Sequence, residues 1–243
     1  METATQYTLK SVRPQPDRLT RDRQLVGFVG RHGVVTIEHL MNALGVGRAS
    51  AYRRAAHCID RDLLERLELL RREPSVLRAT RRGLRFAQLG GMPVAEVSAT
   101  SVDHWLCCAS TALVLAREPG VDRILTEREL ILADRIEGRP IASARVGSRP
   151  DGGPRFHRPD LVILPRGFDL ASASSSIRPI AIEVELSGKG QRRLEQIIRG
   201  WRRADSVGEV RYYCAPGPVM AGVERAVRKL QVADRVQVLE VPR

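Results

Sequence analysis

Aromatic residues are scarce in this sequence, at 4% of 243 residues. Proteins that read single strands stack bases on aromatic rings, so this scarcity argues against an RNA-processing role. Long apolar runs are missing too. No uninterrupted segment approaches the roughly 20 residues of a membrane-spanning helix. The N-terminal stretch is polar and basic, without the apolar core of a signal peptide, so a cytoplasmic protein with no membrane partner is expected. Cysteine is limited to Cys58, Cys107, Cys108 and Cys214, with no C-x-x-C spacing and no zinc pattern involving the five histidines. Adjacent Cys107 and Cys108 sit in a helical, apolar context and read as reduced, buried, small apolar residues. Lysine occurs only at Lys10, Lys189 and Lys229.

What is abundant is arginine. The formal net charge is +12, which favours a polyanionic partner. Residues 1–90 hold 17 Lys and Arg against 9 Asp and Glu, or +8 of that total. A GC-rich genome also produces arginine-for-lysine usage, so the bias alone does not identify the polyanion. With 43% hydrophobic and 28% charged residues, the chain reads as soluble and globular, long enough for one large domain or two small ones.

Residues 1–18, with Pro14 and Pro16, read as a flexible basic arm. The spacing of Leu25, Val26, Phe28 and Val29 predicts a helix that ends near Gly33. Thr36 reads as the N-cap of a second helix whose stripe is Ile37, Leu40, Met41 and Leu44. Gly45-Val-Gly47 makes a tight turn, and a third helix runs over 48–61 with Ala51, Ala55, Cys58 and Ile59 inward. Its outward side carries Arg53 and His57, flanked by Ser50, Tyr52 and Arg54, with Arg48 in the first turn. Arginine bridges phosphates and guanine edges, as a recognition helix requires. Residues 63–70 and 76–80 read as a two-stranded wing around a charged turn at 71–74, and 81–89 as a closing helix. Residues 19–89 thus resemble a winged helix-turn-helix domain. The competing reading is a protein-contact module with a merely solvated arginine face.

Residues 90–101 read as a linker and 102–117 as a helix, on which His104 reads as a capping or surface histidine. Thr126 with Glu129 fits a capping box, which leaves Glu127 the freer acid. The Gly-, Pro- and Arg-rich stretch 138–158 predicts a loop or irregular hairpin. Leu161–Leu164 is a short apolar run that reads as a buried strand. In 180–186, Ile180, Ile182, Val184 and Leu186 share one strand face; Ala181, Glu183 and Glu185 share the other. Paired carboxylates repel and resist burial, so this face wants a cation. Asp160, at the mouth of the preceding strand, is placed to close the same site. Three hard oxygen ligands suit Mg²⁺ or Mn²⁺. The serine-rich loop 167–178 is assigned no chemistry. A helix over 191–204, a strand over 210–214, a helix over 219–230 and a strand over 236–241 complete the chain. Structural alternatives exist for each acid: Glu183 and Glu185 as edge-strand partners of arginines, Asp160 as a turn cap.

Pro159-Asp160 and Glu183-Val-Glu185 resemble the P-D…(D/E)-x-K motif of the restriction-endonuclease-like superfamily. The resemblance implies Asp160 and Glu183 as metal ligands for phosphodiester hydrolysis, Glu185 as a third ligand or water-positioning base, and Glu127 as an outer ligand. The motif lysine is replaced by Glu185, and Lys189, four residues on, is the candidate substitute. With T-E-R-E-L, R-P-D and I-E-V-E-L-S-x-K following a winged helix, the chain from about 19 to 240 is similar to the replication-relaxation family of plasmids and integrative elements. The expected fold class is therefore α/β (α+β overall): a winged helix-turn-helix followed by a restriction-endonuclease-like α/β domain over 102–243 with a mixed central sheet.

Two functions compete. One is a DNA-binding, Mg²⁺- or Mn²⁺-dependent nuclease or nickase acting in replication or mobilisation. The other is a non-enzymatic regulator whose nuclease-like domain is a scaffold or dimerisation module. The expected partners are double-stranded DNA, a second copy of the chain, and replication or mobilisation proteins.

Overall fold

The computed structural model describes residues 17–69, 74–168 and 177–242. Most of the N-terminal arm, the charged turn between the wing strands and the centre of the serine-rich loop lie outside these residues.

The first helix, α1 (Arg18–His32), starts at Asp17, whose carboxylate accepts from the Thr20 N–H at 2.7 Å. It buries Leu25, Val26 and Val29 and stops at Gly33, whose φ of +80° suits glycine. After the two-residue strand β1 (Val34–Val35), Thr36 caps α2 (Ile37–Leu44); the capping box is completed by His39 rather than by an acid. Gly45, in the left-handed region, ends α2 and turns the chain into α3 (Arg48–Asp60). Ala51, Ala55 and Cys58 are fully buried, and their small side chains let α3 lie close to its neighbours. A hairpin follows, β2 (Leu64–Leu67) and β3 (Val76–Ala79), and β1 pairs antiparallel with β3 to give the order β1-β3-β2. The short helix α4 (Arg81–Phe86) closes this unit.

The remainder runs α5 (Val102–Leu115), β4 (Val121–Thr126), α6 (Glu127–Glu137), β5 (Ala144–Ser148), β6 (Pro154–His157), β7 (Leu161–Pro165), β8 (Ile180–Glu185), α7 (Gln191–Arg202), β9 (Glu209–Cys214), α8 (Pro218–Leu230) and β10 (Val236–Glu240). Five strands form a mixed sheet in the order β10-β9-β8-β7-β4. The pairs β8/β9 and β9/β10 are parallel, each joined through a crossover helix, α7 or α8. The pairs β7/β8 and β4/β7 are antiparallel.

Both sheet faces are covered, which is why the central strands read as almost continuous apolar runs. Val162, Ala181, Val210 and Tyr212 face the larger core with Leu194, Ile198 and Trp201 of α7 and Val223 of α8. Leu161, Ile163, Ile182 and Val184 face Ala112 and Leu115 of α5. The alternation expected in β8 is the one observed.

Several expectations are corrected. Strand β4 lies where the sequence suggested only the approach to a helix; it forms the sheet edge against β7. The stretch 138–158 does hold the irregular hairpin that its composition predicted, as the antiparallel pair β5/β6 with a register shift between Arg145 and Gly147. Segment 90–101 is packed rather than a free tether: Met92 and Ala95 are buried, and Arg78 donates to the Ala95 carbonyl at 2.8 Å. Helix α5 serves both halves, since Ala109 lies in the core of residues 25–84 while Leu115 lies under the sheet. Among the described residues, no helix is long and apolar enough to cross a membrane.

Candidate functional site

Two sets of side chains stand out. The first is the outer side of α3. Arg48, Tyr52 and Arg53 are exposed, and Ser50 and Arg54 are half-buried. Arg48 makes an exposed ion pair with Glu38 at 3.2 Å, of little energetic weight and easily exchanged for another anion. His57 departs from this group. Its ring lies between Asp22, 3.4 Å from Nε2, and Arg18, 3.1 Å from Nδ1. Asp22 is 4% exposed and also accepts from Arg61 at 3.2 Å. A buried carboxylate needs such donors, and this draws His57 towards α1 rather than outward.

The second set gathers where β7, β8, α5, α6 and α7 meet. Asp160, just before β7, accepts the Glu127 backbone N–H at its carbonyl, 2.9 Å away, which ties the start of α6 to the mouth of the strand. Its carboxylate Oδ2 accepts the Val184 N–H at 2.7 Å, and Oδ1 lies 3.1 Å from His104 Nε2. Glu183, 1% exposed, is held through Oε1 by His157 Nε2 at 2.7 Å and by the indole N–H of Trp201 at 3.0 Å. Glu185 pairs with Lys189, so that lysine does reach back from the loop before α7. Glu127 has a solvent-reaching side chain to which no hydrogen bond is made among the described residues. Tyr212, the register partner of Glu183 on β9, is fully buried, and its hydroxyl has no hydrogen-bond partner among those residues.

The charges are strongly interdependent. Burial raises the Glu185 carboxyl, and Lys189 only partly offsets this. Burial opposes the Lys189 ammonium, but Glu183 and Glu185 outweigh it and hold the group above its ordinary value. His157 is likewise raised: burial disfavours its charge and the adjacent Glu183 carboxylate restores it. The hydrogen bond to Asp160 raises His104. Desolvation, then the charge of Asp160, raises Glu127. Mutual perturbation of this kind marks candidate functional sites.

Asp160, Glu183, Glu185, Glu127 and Lys189 are thus near enough to perturb one another. Their oxygens, however, do not form an open cage for a hard cation. Glu183 and Glu185 each hold an internal basic partner. Among the described residues, the three ligand atoms found within 4.8 Å of one another belong to His104, Cys108 and Asp160. A nitrogen, a sulfur and an oxygen are a mixed donor set, unlike the all-oxygen set that suits Mg²⁺ or Mn²⁺.

Sequence reasoning missed His104, His157, Cys108 and Trp201. The i, i+4 spacing of His104 and Cys108 was the available signal for one pair. Nothing local indicates that His157 and Trp201 meet on Glu183. The chain matches no protein-family model and no curated protein.

Proposed function

We propose that this chain binds double-stranded DNA through its N-terminal unit, read as a winged helix-turn-helix in which α3 is the recognition helix and β2/β3 the wing. The observation that carries this reading is the two-sided character of α3. Ala51, Ala55 and Cys58 anchor it, while Arg48, Tyr52 and Arg53 stand exposed on a unit that holds most of the net positive charge. Arginines so presented neutralise phosphates and donate to guanine edges. Replication or mobilisation of a plasmid or integrative element is the context suggested by the resemblance in sequence, with a second copy of the chain as the natural partner on DNA.

The test is duplex binding measured by fluorescence anisotropy across a salt series. Arg53→Ala should weaken binding by about tenfold and make the salt slope shallower by about one. An unchanged slope would remove α3 from the interface.

A second reading is metal-dependent phosphodiester hydrolysis by the restriction-endonuclease-like half. It is favoured by the convergence of Asp160, Glu183, Glu185 and Lys189 at one end of the central strands. Its test is nicking of supercoiled plasmid with Mg²⁺ and then Mn²⁺, compared with Glu183→Gln. Cleavage lost in the variant supports an enzyme; no cleavage beside salt-sensitive duplex binding supports a regulator.

A further inference from the structure

Helix α5 places His104 and Cys108 one turn apart, and side chains at that spacing share a helix face. The face points at the mouth of β7, where Asp160 waits. His104 Nε2 lies 3.6 Å from Cys108 Sγ and 3.1 Å from Asp160 Oδ1. A ring nitrogen, a thiol sulfur and a carboxylate oxygen thus face one another across a short gap, and all three are metal-ligating atoms within 4.8 Å of each other.

The spacing fits such an ion. Tetrahedral zinc bound at its usual sulfur and nitrogen distances separates those two ligands by about 3.5 Å, and a nitrogen from an oxygen by about 3.3 Å. Both observed separations agree within a few tenths of an ångström, and the third pair, the sulfur and the carboxylate oxygen, lies within 4.8 Å. The other oxygen of Asp160 is fixed by the Val184 N–H, the kind of outer contact that orients a metal-binding carboxylate.

We propose that His104, Cys108 and Asp160 bind a borderline transition-metal ion of the zinc class, with the fourth position left to solvent. The site is distinct in chemistry from an all-oxygen magnesium site and stands whether or not the chain cleaves DNA. It joins α5, which packs on both halves of the molecule, to the strand that opens the acid cluster. Binding replaces the thiol proton of Cys108 by the metal and releases that proton to solvent.

The experiment is a titration of the full-length, metal-stripped chain with Co²⁺, read by absorption. The expected result is a sulfur-to-cobalt charge-transfer band that saturates at one equivalent, with visible bands of four-coordinate intensity. Zn²⁺ should bleach both, and a millimolar excess of Mg²⁺ should not. Cys108→Ser should abolish the charge-transfer band while Cys107→Ser retains it. His104→Gln and Asp160→Asn should each weaken Co²⁺ binding at least tenfold. No charge-transfer band, or a band that survives Cys108→Ser, overturns the proposal. If Cys108→Ser proves unfolded by circular dichroism, His104→Gln decides: undiminished Co²⁺ affinity in that variant overturns the site equally.

Discussion

Glu183 shows what a single residue contributes. A carboxylate that is 1% exposed needs donors around it in place of water, and His157 and Trp201 are those donors. Removing His157 as His157→Ala should cost about 3 kcal/mol at pH 6, measured by urea unfolding, because the buried acid loses its cationic partner. The pH dependence has a defined sign. The folded-state value of His157 lies above its ordinary 6.5, so its stabilising effect is complete below 6.5 and fades as pH rises through the raised value. The stability gap between wild type and His157→Ala should therefore narrow from pH 6 towards pH 9. A gap that widened would invert the assignment. The acid itself was legible in the alternation of 180–186. Its partners were not, because they come from β6 and α7, 26 and 18 residues away.

At the scale of the element, helices were the easiest to read. Caps at Thr36 and Thr126, the glycine stop after α2 and the small inward stripe of α3 are local signals, and local signals act on a few neighbouring residues. Strand β4 escaped for the opposite reason. It is a sheet edge with exposed Asp122 and Arg123, and its existence depends on β7 being alongside. Helix α4 adds a test of close packing. A Cβ built on Gly83 would lie 1.9 Å from the Leu63 carbonyl oxygen, a backbone atom that cannot swing away. Gly83→Ala should thus cost about 2–3 kcal/mol in chemical denaturation despite the better helix propensity of alanine. Neutral behaviour would mean that α4 sits farther from Leu63.

For the whole molecule, the question is whether the two halves act separately. The sequence suggested a linker at 90–101, yet Arg128 of α6 donates to the Gly30 and Pro93 carbonyls, and Trp105 packs over Gly33. His39 of α2 contacts the Leu106 carbonyl at 3.1 Å and Ser110 Oγ at 3.0 Å. Contacts of this density predict coupled unfolding. The two tryptophans allow a direct check, because Trp105 reports the junction and Trp201 the core under the sheet. Single-tryptophan variants made by Trp105→Phe and Trp201→Phe should show urea transitions that coincide with far-ultraviolet circular dichroism in each variant. Separate midpoints for fluorescence and circular dichroism would show that the halves melt independently.

The sequence by itself determined the helices of the first unit and the two-faced strand β8 with Glu183 and Glu185 on one side. These follow from periodicity and capping, whose physics is confined to neighbours along the chain. Only the tertiary structure decided that α5 belongs to both halves, that His157 and Trp201 hold Glu183, and that His104 and Cys108 meet Asp160. Those meetings arise when distant elements pack to bury apolar surface, and side-chain chemistry at the junction is then set by which polar groups the packing leaves facing one another.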